Sequence, residues 1–340
     1  MKKIVTFGEI MLKLSPESFA RLTQAHSLKV EYSGAEANVA VSLSQLGMET
    51  VFVSKVPDND MGRSAINFVR QFGVNTAYVC QGGERIGIYF TEKGAAQRAS
   101  KVIYDRKHSA IATAEADDFD WEAIFRDAQW FHFTGITPAL SDNLAEICLQ
   151  ACKTAKAKGI HVSCDLNYRS KLWTKEKART VMSRLAPYVD ICIANEADMN
   201  DVFDFSSGKE QLNYSSIDEK SYQKVAKMAA EKLGFKKVAI TLRESISASD
   251  NNWSAMLYDG TDFYQSKQYA IHIVDRIGSG DSFAAGLIYG FLQNFDNQKS
   301  LDFAVAASCL KHSIEGDYNL VTAAEVENLL NNNTFGRIQR

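Results

Sequence analysis

Residues 274–286, VDRIGSGDSFAAG, combine residue types that could hold an anion and move a proton. Gly278 and Gly280 permit backbone conformations that turn successive N–H groups toward one concave side. A helix beginning near Asp281 adds unpaired N–H groups and the positive end of its dipole. Such a pocket suits a phosphate. Asp281 places a carboxylate at its edge, where the dipole favours the charged form by roughly 0.3–1 kcal/mol. An anion hole beside an ionised carboxylate is what phosphoryl transfer to a hydroxyl requires. In such an arrangement the hole would hold the transferring group, while the carboxylate would orient the attacking O–H and take its proton. Taken alone, the same residues also read as a turn with an N-capping aspartate.

The elements that must position this run alternate in type. Strand-like stretches fall at 4–7, 50–56, 74–79, 130–134, 161–166, 190–194 and 238–242. Helical periodicity covers 36–46, 61–72, 142–158, 175–186 and 219–233, and four of these stop at Gly47, Gly73, Gly159 and Gly234. Repeated βα alternation with β-branched strands predicts an α/β fold with a mainly parallel sheet covered by helices. Ligands of such sheets bind beyond the C-terminal strand ends. Two segments, 13–33 and 86–108, break the rhythm with short alternating runs and predict a few antiparallel strands apart from the main sheet. Asp259-Gly260 signals a hairpin, 203–216 reads as a surface loop, Thr322 and Glu325 make a capping box for a last helix, and 331–340 is expected to fray.

At 340 residues the chain suffices for a large buried core, and 46% hydrophobic with 23% charged residues is an ordinary globular composition. A net charge of −3 gives no general attraction to nucleic acid or anionic membrane, so an anionic ligand must meet a local basic site. The apolar run after Met1-Lys2-Lys3 is too short and too polar for a signal peptide, and no stretch of about 18 apolar residues could span a membrane. The six cysteines are scattered without a C-x-x-C, which predicts reduced thiols and a cytoplasmic protein. Cys148 and Cys152 lack a His or further Cys to complete a metal set, and His26, His108, His132, His161 and His272 show no metal spacing. There is no G-x-x-x-x-G-K-[ST] loop and no G-x-G-x-x-G after the first strand.

The run from Asp275 to Asp281 resembles the C-terminal signature of the PfkB (ribokinase-like) carbohydrate kinases, D-x-x-G-x-G-D before a small-residue helix. A second segment, Ser33-Gly34-Ala35-Glu36-Ala37-Asn38, resembles the N-terminal region of that family and by itself is a glycine turn into a helix. The forms G-A-E-A-N and D-R-I-G-S-G-D are close to those of 2-keto-3-deoxygluconate kinases. The resemblance implies one ribokinase-like kinase domain over 1–340 with a small β-sheet lid, 13–33 and 86–108, inserted in it. It implies Asp281 as catalytic base and Gly278, Ser279 and Gly280 as anion hole. Gly34 would let substrate approach the backbone, and Asn38 would bind sugar hydroxyls.

A sugar acid needs a cation, best a planar fork. Arg106 and Arg169 stand in segments similar to those that hold the substrate's carboxylate side in ketodeoxygluconate kinases; a surface ion pair is the alternative for each. Tyr89 and Tyr104 match lid tyrosines that touch substrate, or are simply buried lid aromatics. Asp317 matches a substrate-contacting Asp and would otherwise be a turn residue. For ATP, the resemblance points to Asn167, Asn195, Thr241, Arg243, Ala307, Ser308 and His312, the last three on a helix that packing alone explains nearly as well. Asn195-Glu196-Ala197-Asp198 resembles the family's N-x-x-E element, with Asp198 reaching Mg2+ through water by one methylene less. Where the family commonly has a Gly-rich turn, this chain has Arg243-Glu244-Ser245, and Arg243 could replace backbone contacts by a charged contact to phosphate. The implied activity is ATP- and Mg2+-dependent phosphorylation of 2-keto-3-deoxygluconate to its 6-phospho product, with a neutral-sugar kinase as the alternative. Lid strands that pair with another chain imply a homo-oligomer.

Overall fold

The computed structural model describes residues 2–205 and 219–331. Its strands are β1 Lys3–Phe7, β2 Met11–Ser15, β3 Lys29–Ser33, β4 Glu49–Val56, β5 Val79–Gln81, β6 Gly87–Glu92 and β7 Lys101–Asp105 in the first half. The rest are β8 Ala128–Thr134, β9 His161–Asp165, β10 Ile191–Ala194, β11 Lys237–Ser245, β12 Asp250–Tyr258, β13 Phe263–Gln265 and β14 Tyr269–His272.

β1 explains the layering. Its apolar residues Ile4, Val5 and Phe7 are buried on the two faces of the sheet, as in buried parallel strands. Ile4 enters one core with Val39 and Leu43 of helix Ala35–Gln45 and Phe283 and Leu287 of helix Ser279–Leu292. Val5 and Phe7 enter the opposite core with Phe131, Phe133 and the helix Asp142–Ala157. The sheet order is β13-β12-β11-β10-β9-β8-β1-β4-β5, with β14 beside β12. Pairs from β5 through β11 are parallel, whereas β12, β13 and β14 run antiparallel, so the sheet is mixed. The chain builds β4 and β5 on one side of β1 and β8 to β11 on the other, making a switch point between β1 and β8, where open α/β sheets place ligands.

The two arrhythmic segments form a separate four-stranded sheet, β3-β2-β6-β7. It is not wholly antiparallel, because β2 and β6 run parallel across the crossover through the main sheet.

The helices Ala35–Gln45, Asp60–Arg70, Asp142–Ala157 and Glu219–Leu233 each stop just before their expected glycine. The hairpin at Asp259-Gly260 joins β12 to β13, with Tyr258 paired to Phe263. Thr322 and Glu325 close the capping box of helix Ala323–Leu330. The strand expected at 74–79 is a correction: β5 begins only at Val79, after a single bridge from Asn75 to Val51. The Asn75 side chain accepts from the Ala77 N–H at 2.9 Å, and this local turn competes with the ladder. The loop expected at 203–216 falls mostly outside the described residues, with Phe203 closing helix Glu196–Phe203. The expected frayed tail also lies outside them, apart from Asn331. No helix among the described residues is long and apolar enough to cross a membrane.

Candidate active site

A cavity of about 510 Å³ opens beyond the C-terminal ends of β8 to β11, between the main sheet and the smaller one. Gly278 stands at its edge as N-cap of helix Ser279–Leu292, at φ +81°. A side chain there would be strained, and its Cβ would fall 1.9 Å from the Asp317 carbonyl oxygen. Two residues on, a Cβ at Gly280 would meet nothing within 4 Å, so the turn faces open space. Helix Ser279–Leu292 seats against helix Asn297–Lys311 through small residues, with a Cβ at Gly286 falling 2.7 Å from Ala304 Cα.

Asp281 lies in the first turn of this helix and is 8% exposed. The expectation of a carboxylate kept charged by the dipole is corrected here: burial pushes its pKa up to about 7. The Asn38 amide, donating to Oδ2 at 2.7 Å, and Arg169 pull it down, while Glu36 and Asp317 push it up. Desolvation outweighs the dipole because the carboxyl is enclosed. A carboxyl poised near neutrality suits a general base at physiological pH.

The side of the cavity next to the smaller sheet is already internally bonded. Arg106 Nε donates to Glu9 Oε2 at 2.7 Å and a second guanidinium N–H reaches the same oxygen, while Ser109 Oγ donates to Glu9 Oε1 at 2.6 Å. Its guanidinium also lies 5.4 Å from the centroid of Tyr104, whose ring stacks on Tyr89 at 5.9 Å. The expected free fork at Arg106 is therefore engaged by a buried carboxylate. Asp317 is likewise occupied: Lys13 Nζ bonds Oδ1, and Ser33 Oγ and Tyr89 OH reach Oδ2 at 2.7 and 2.6 Å. Asn38 Oδ1 lies 3.0 Å from Ser33 Oγ, so both ends of the Asn38 amide meet protein groups. Gly34 is required by close approach, since a Cβ would fall 1.8 Å from the Glu9 carbonyl oxygen. Arg169 differs from Arg106: it donates from Nη1 to the Tyr168 carbonyl at 2.9 Å and has no carboxylate within ion-pair distance among the described residues.

On the strand-end side, Asn195 caps helix Glu196–Phe203, accepting the Asp198 N–H at 2.9 Å and donating to Asp198 Oδ2 at 2.8 Å. Asp198 Oδ1 accepts the Tyr168 N–H at 3.1 Å. Burial pushes the Asp198 pKa up to about 6, against Arg169 and the two N–H donors. Asp165, at the end of β9, is raised well above the usual carboxylate range by burial and then by Asp198 and Asp281. Asn167 follows it in left-handed backbone, φ +40°, with its N–H 3.2 Å from Asp165 Oδ1. Thr241 and Arg243 lie on β11, which continues through Ser245 as a ladder with β12, where a turn would otherwise stand. Arg243 is exposed at the cavity wall. His312 also lines it, with Nδ1 2.7 Å from the Ser308 carbonyl, its ring edge-on to Trp253 at 5.4 Å, and a pKa lowered by burial to about 4.

Two expected residues leave the site. Ala307 is fully buried in the seam between the last long helices, and Ser308 Oγ donates to the Ser279 carbonyl at 2.7 Å. Neither lines the cavity. Conversely, the sequence assigns no role to Glu9, Lys13, Asp165 or Arg276, nor to Ser33 beyond its place at the head of the 33–38 segment. Arg276 lies inside the DRIGSGD run, and Asp165 two residues before Asn167, so proximity to a motif was the only available signal. Lys13 and Glu9 are distant in sequence from the residues they bond and carried none. Among the described residues no group of three or more His, Cys, Asp or Glu could hold a metal. The six cysteines are free in the structure.

Against known proteins, the description "pfkB family carbohydrate kinase" matches residues 1–323. The chain is 34% identical over 334 residues to a 2-dehydro-3-deoxygalactonokinase of Haloferax volcanii, covering 98% of each. It is 26% identical over 335 residues to a 2-dehydro-3-deoxygluconokinase of Thermoproteus tenax, covering 97% of this chain and 94% of that one. Among solved structures, the 2-dehydro-3-deoxygluconokinase of Thermotoga maritima superposes with a TM-score of 0.93 at 53% identity, covering 97% and 98% of the two chains. A cleft at the sheet's switch point, a glycine turn opening a helix, and a family match over nearly the whole length agree: this chain belongs to the pfkB family of carbohydrate kinases.

Proposed function

We propose that the protein transfers the γ-phosphoryl group of ATP to the terminal hydroxyl of 2-keto-3-deoxygluconate. The carrying observation is Asp281: a buried carboxyl of near-neutral pKa beside an anion-ready turn, in a cavity that also contains Arg169. Asp281 accepts the hydroxyl proton, the alkoxide oxygen bonds the γ-phosphorus, and the bond to the bridging oxygen breaks to release ADP. The N–H groups of the 278–280 turn stabilise charge on the moving group. Gly34, Asn38, Tyr89, Tyr104, Arg106, Arg169 and Asp317 form the acceptor side, with Arg169 matching the sugar-acid carboxylate. Asn167, Asn195, Thr241, Arg243 and His312 form the nucleotide side. Asp165 and Asp198 are two buried carboxylates, and burial followed by the charge of Asp198 raises the proton affinity of Asp165, a donor pair that fits a divalent cation held mainly through water and phosphate oxygens. Magnesium bound there would neutralise phosphate charge. The similarity to ketodeoxysugar-acid kinases from Thermotoga maritima and Haloferax volcanii supports this substrate class.

One observation favours a neutral acceptor instead, since Glu9 already cancels the charge of Arg106. A coupled ADP assay over ketodeoxygluconate, ketodeoxygalactonate, gluconate, fructose and ribose decides. Preference for a ketodeoxy acid supports the proposal, and preference for fructose or ribose overturns it.

The lid is proposed as the surface for a second copy of the chain. It ends in the open edges β3 and β7 among the described strands, and Phe19, Val30 and Ile103 are 52%, 57% and 41% exposed. Light scattering of Val30→Glu is expected to show a smaller particle than the parent; a parent already monomeric at micromolar concentration removes the idea.

A further inference from the structure

The Ser33 hydroxyl stands between two acceptors. Its oxygen lies 2.7 Å from Asp317 Oδ2 and 3.0 Å from Asn38 Oδ1, and it has one proton to give. Asp317 is otherwise well supplied, with the fully buried Lys13 ammonium on Oδ1 and the Tyr89 hydroxyl on Oδ2 at 2.6 Å. These donors come from strands β2 and β6 of the lid, while Ser33 ends β3. On its far side Asn38 faces Asp281 Oδ2 at 2.7 Å. All of these groups are buried, so none can exchange its partner for bulk water without cost.

Two arrangements of this chain of bonds satisfy the Asn38 amide, and in the first the Ser33 oxygen meets an Asp317 carboxylate whose charge Lys13 and Tyr89 already engage. In the first, Ser33 donates to Asn38 Oδ1, which fixes the amide so that its NH2 faces Asp281 and supports a charged carboxylate. In the second, Ser33 donates to Asp317. The Asn38 NH2 then turns to the Ser33 oxygen, and its Oδ1 faces Asp281 and is satisfied only by a protonated carboxyl. We infer that Ser33 is a positioning residue whose hydrogen-bond direction, held toward Asn38 by the lid donors on Asp317, orients the Asn38 amide toward Asp281 and keeps the base ready to accept a proton. Turning the chain over after proton transfer lets the same side chains accommodate the protonated carboxyl. No bond other than hydrogen bonds changes, and the proton gained by Asp281 is the one lost by the acceptor hydroxyl.

The inference rests on Asp281 being the base, as proposed above. The other charged groups that act on Asp281 are Glu36 and Asp317, which raise its proton affinity, and Arg169, which lowers it; Asp165 and Lys311 also interact with it. Altering Ser33 adds or removes no charge among these groups, so a shift that Ser33→Thr reverses is attributed to the hydroxyl and the amide it orients.

The test is the pH dependence of turnover in Ser33→Ala and Ser33→Thr, with ketodeoxygluconate and ATP saturating. Ser33→Ala is expected to move the acidic limb to higher pH by about one unit, giving about tenfold lower turnover at the acidic end and converging with the parent at high pH. Ser33→Thr restores the parent profile because it keeps the hydroxyl. Tyr89→Phe, which removes one donor from Asp317 and lets it compete for the Ser33 proton, moves the limb the same way and serves if Ser33→Ala fails to fold. An unchanged limb in Ser33→Ala, or a raised sugar KM as its only effect, overturns the inference, the latter marking Ser33 as a direct substrate ligand. Failure of the underlying reading looks different: the parent itself releases no ADP with any sugar acid, or Asp281→Asn remains active.

Discussion

The two sides of the cavity differ in how much of their polar surface is left without a protein partner. On the lid side nearly every polar group has a protein partner: Arg106 has Glu9, Asp317 has Lys13, Ser33 and Tyr89, and Asn38 has Asp281. On the far side Asn195, Asp198 and His312 are bonded within the protein, but Gly280 faces open space, the Asp165 carboxyl accepts a single backbone N–H among the described residues, and Arg243 is exposed at the wall. The lid side is therefore pre-organised, with orientations set before a ligand arrives, and there substitutions disturb geometry. The other side is left for a ligand to complete, and there substitutions subtract contacts.

Asp281→Asn is the strongest test of that contrast. It keeps the shape and an amide near Asn38 but removes the base, so turnover should fall by about 10²–10⁴ or more while ATP binding, read by calorimetry, stays. Near-normal turnover would remove Asp281 as base. In the parent, Asp281 must be unprotonated to act, so kcat/KM should rise with pH and level off above about 7. A profile flat from pH 5 to about 8 would contradict the burial-raised pKa.

The glycine pair sharpens the contrast within a single turn. Gly278→Ala combines positive φ with a clash against the Asp317 backbone and should lower the melting temperature, at a cost on the order of 2 kcal/mol or more. Gly280→Ala meets no protein atom, so its fold should be as stable as the parent or more so by up to about 1 kcal/mol, while its methyl group enters the proposed phosphate space and raises the KM for ATP. Equal melting temperatures for the two variants would break the distinction.

Arg169→Ala should weaken sugar-acid affinity by roughly 10–100-fold, as expected for loss of a charge-assisted hydrogen bond, while a neutral sugar changes little. Equal losses on both substrates would indicate that Arg169 only supports the loop. Arg243→Ala carries the smallest expected effect, a few-fold rise in the KM for ATP, because exposed charges are screened. An unchanged value would return Arg243 to the surface.

What was legible in the sequence follows from how local each signal is. The GSGD turn, the G-A-E-A-N segment and the capping box at Thr322 are short stretches whose residue types suffice to specify their backbone, and Ile4, Val5 and Phe7 mark the two-sided burial of β1. The parallel sheet from β5 to β11 followed from βα alternation, but its antiparallel edge did not, because the strand pattern of β12 is the same in either direction. The types of Asp281, Arg106 and Asp317 were readable from sequence as well, together with the resemblance that singled them out. Their partners were not: Glu9 meets Arg106 across 97 positions of chain, and Lys13 meets Asp317 across 304. The same limit applies to charge, since the helix dipole at Asp281 is a local property whereas the burial that overrides it is supplied by the surrounding fold. Ala307 and Ser308 show the reverse case, residues on a plausible helix that the packing of two helices turned away from the cleft. Side-chain chemistry and short-range backbone geometry belong to the sequence; pairing, burial and proton affinity depend on distances that exist only once remote segments have met.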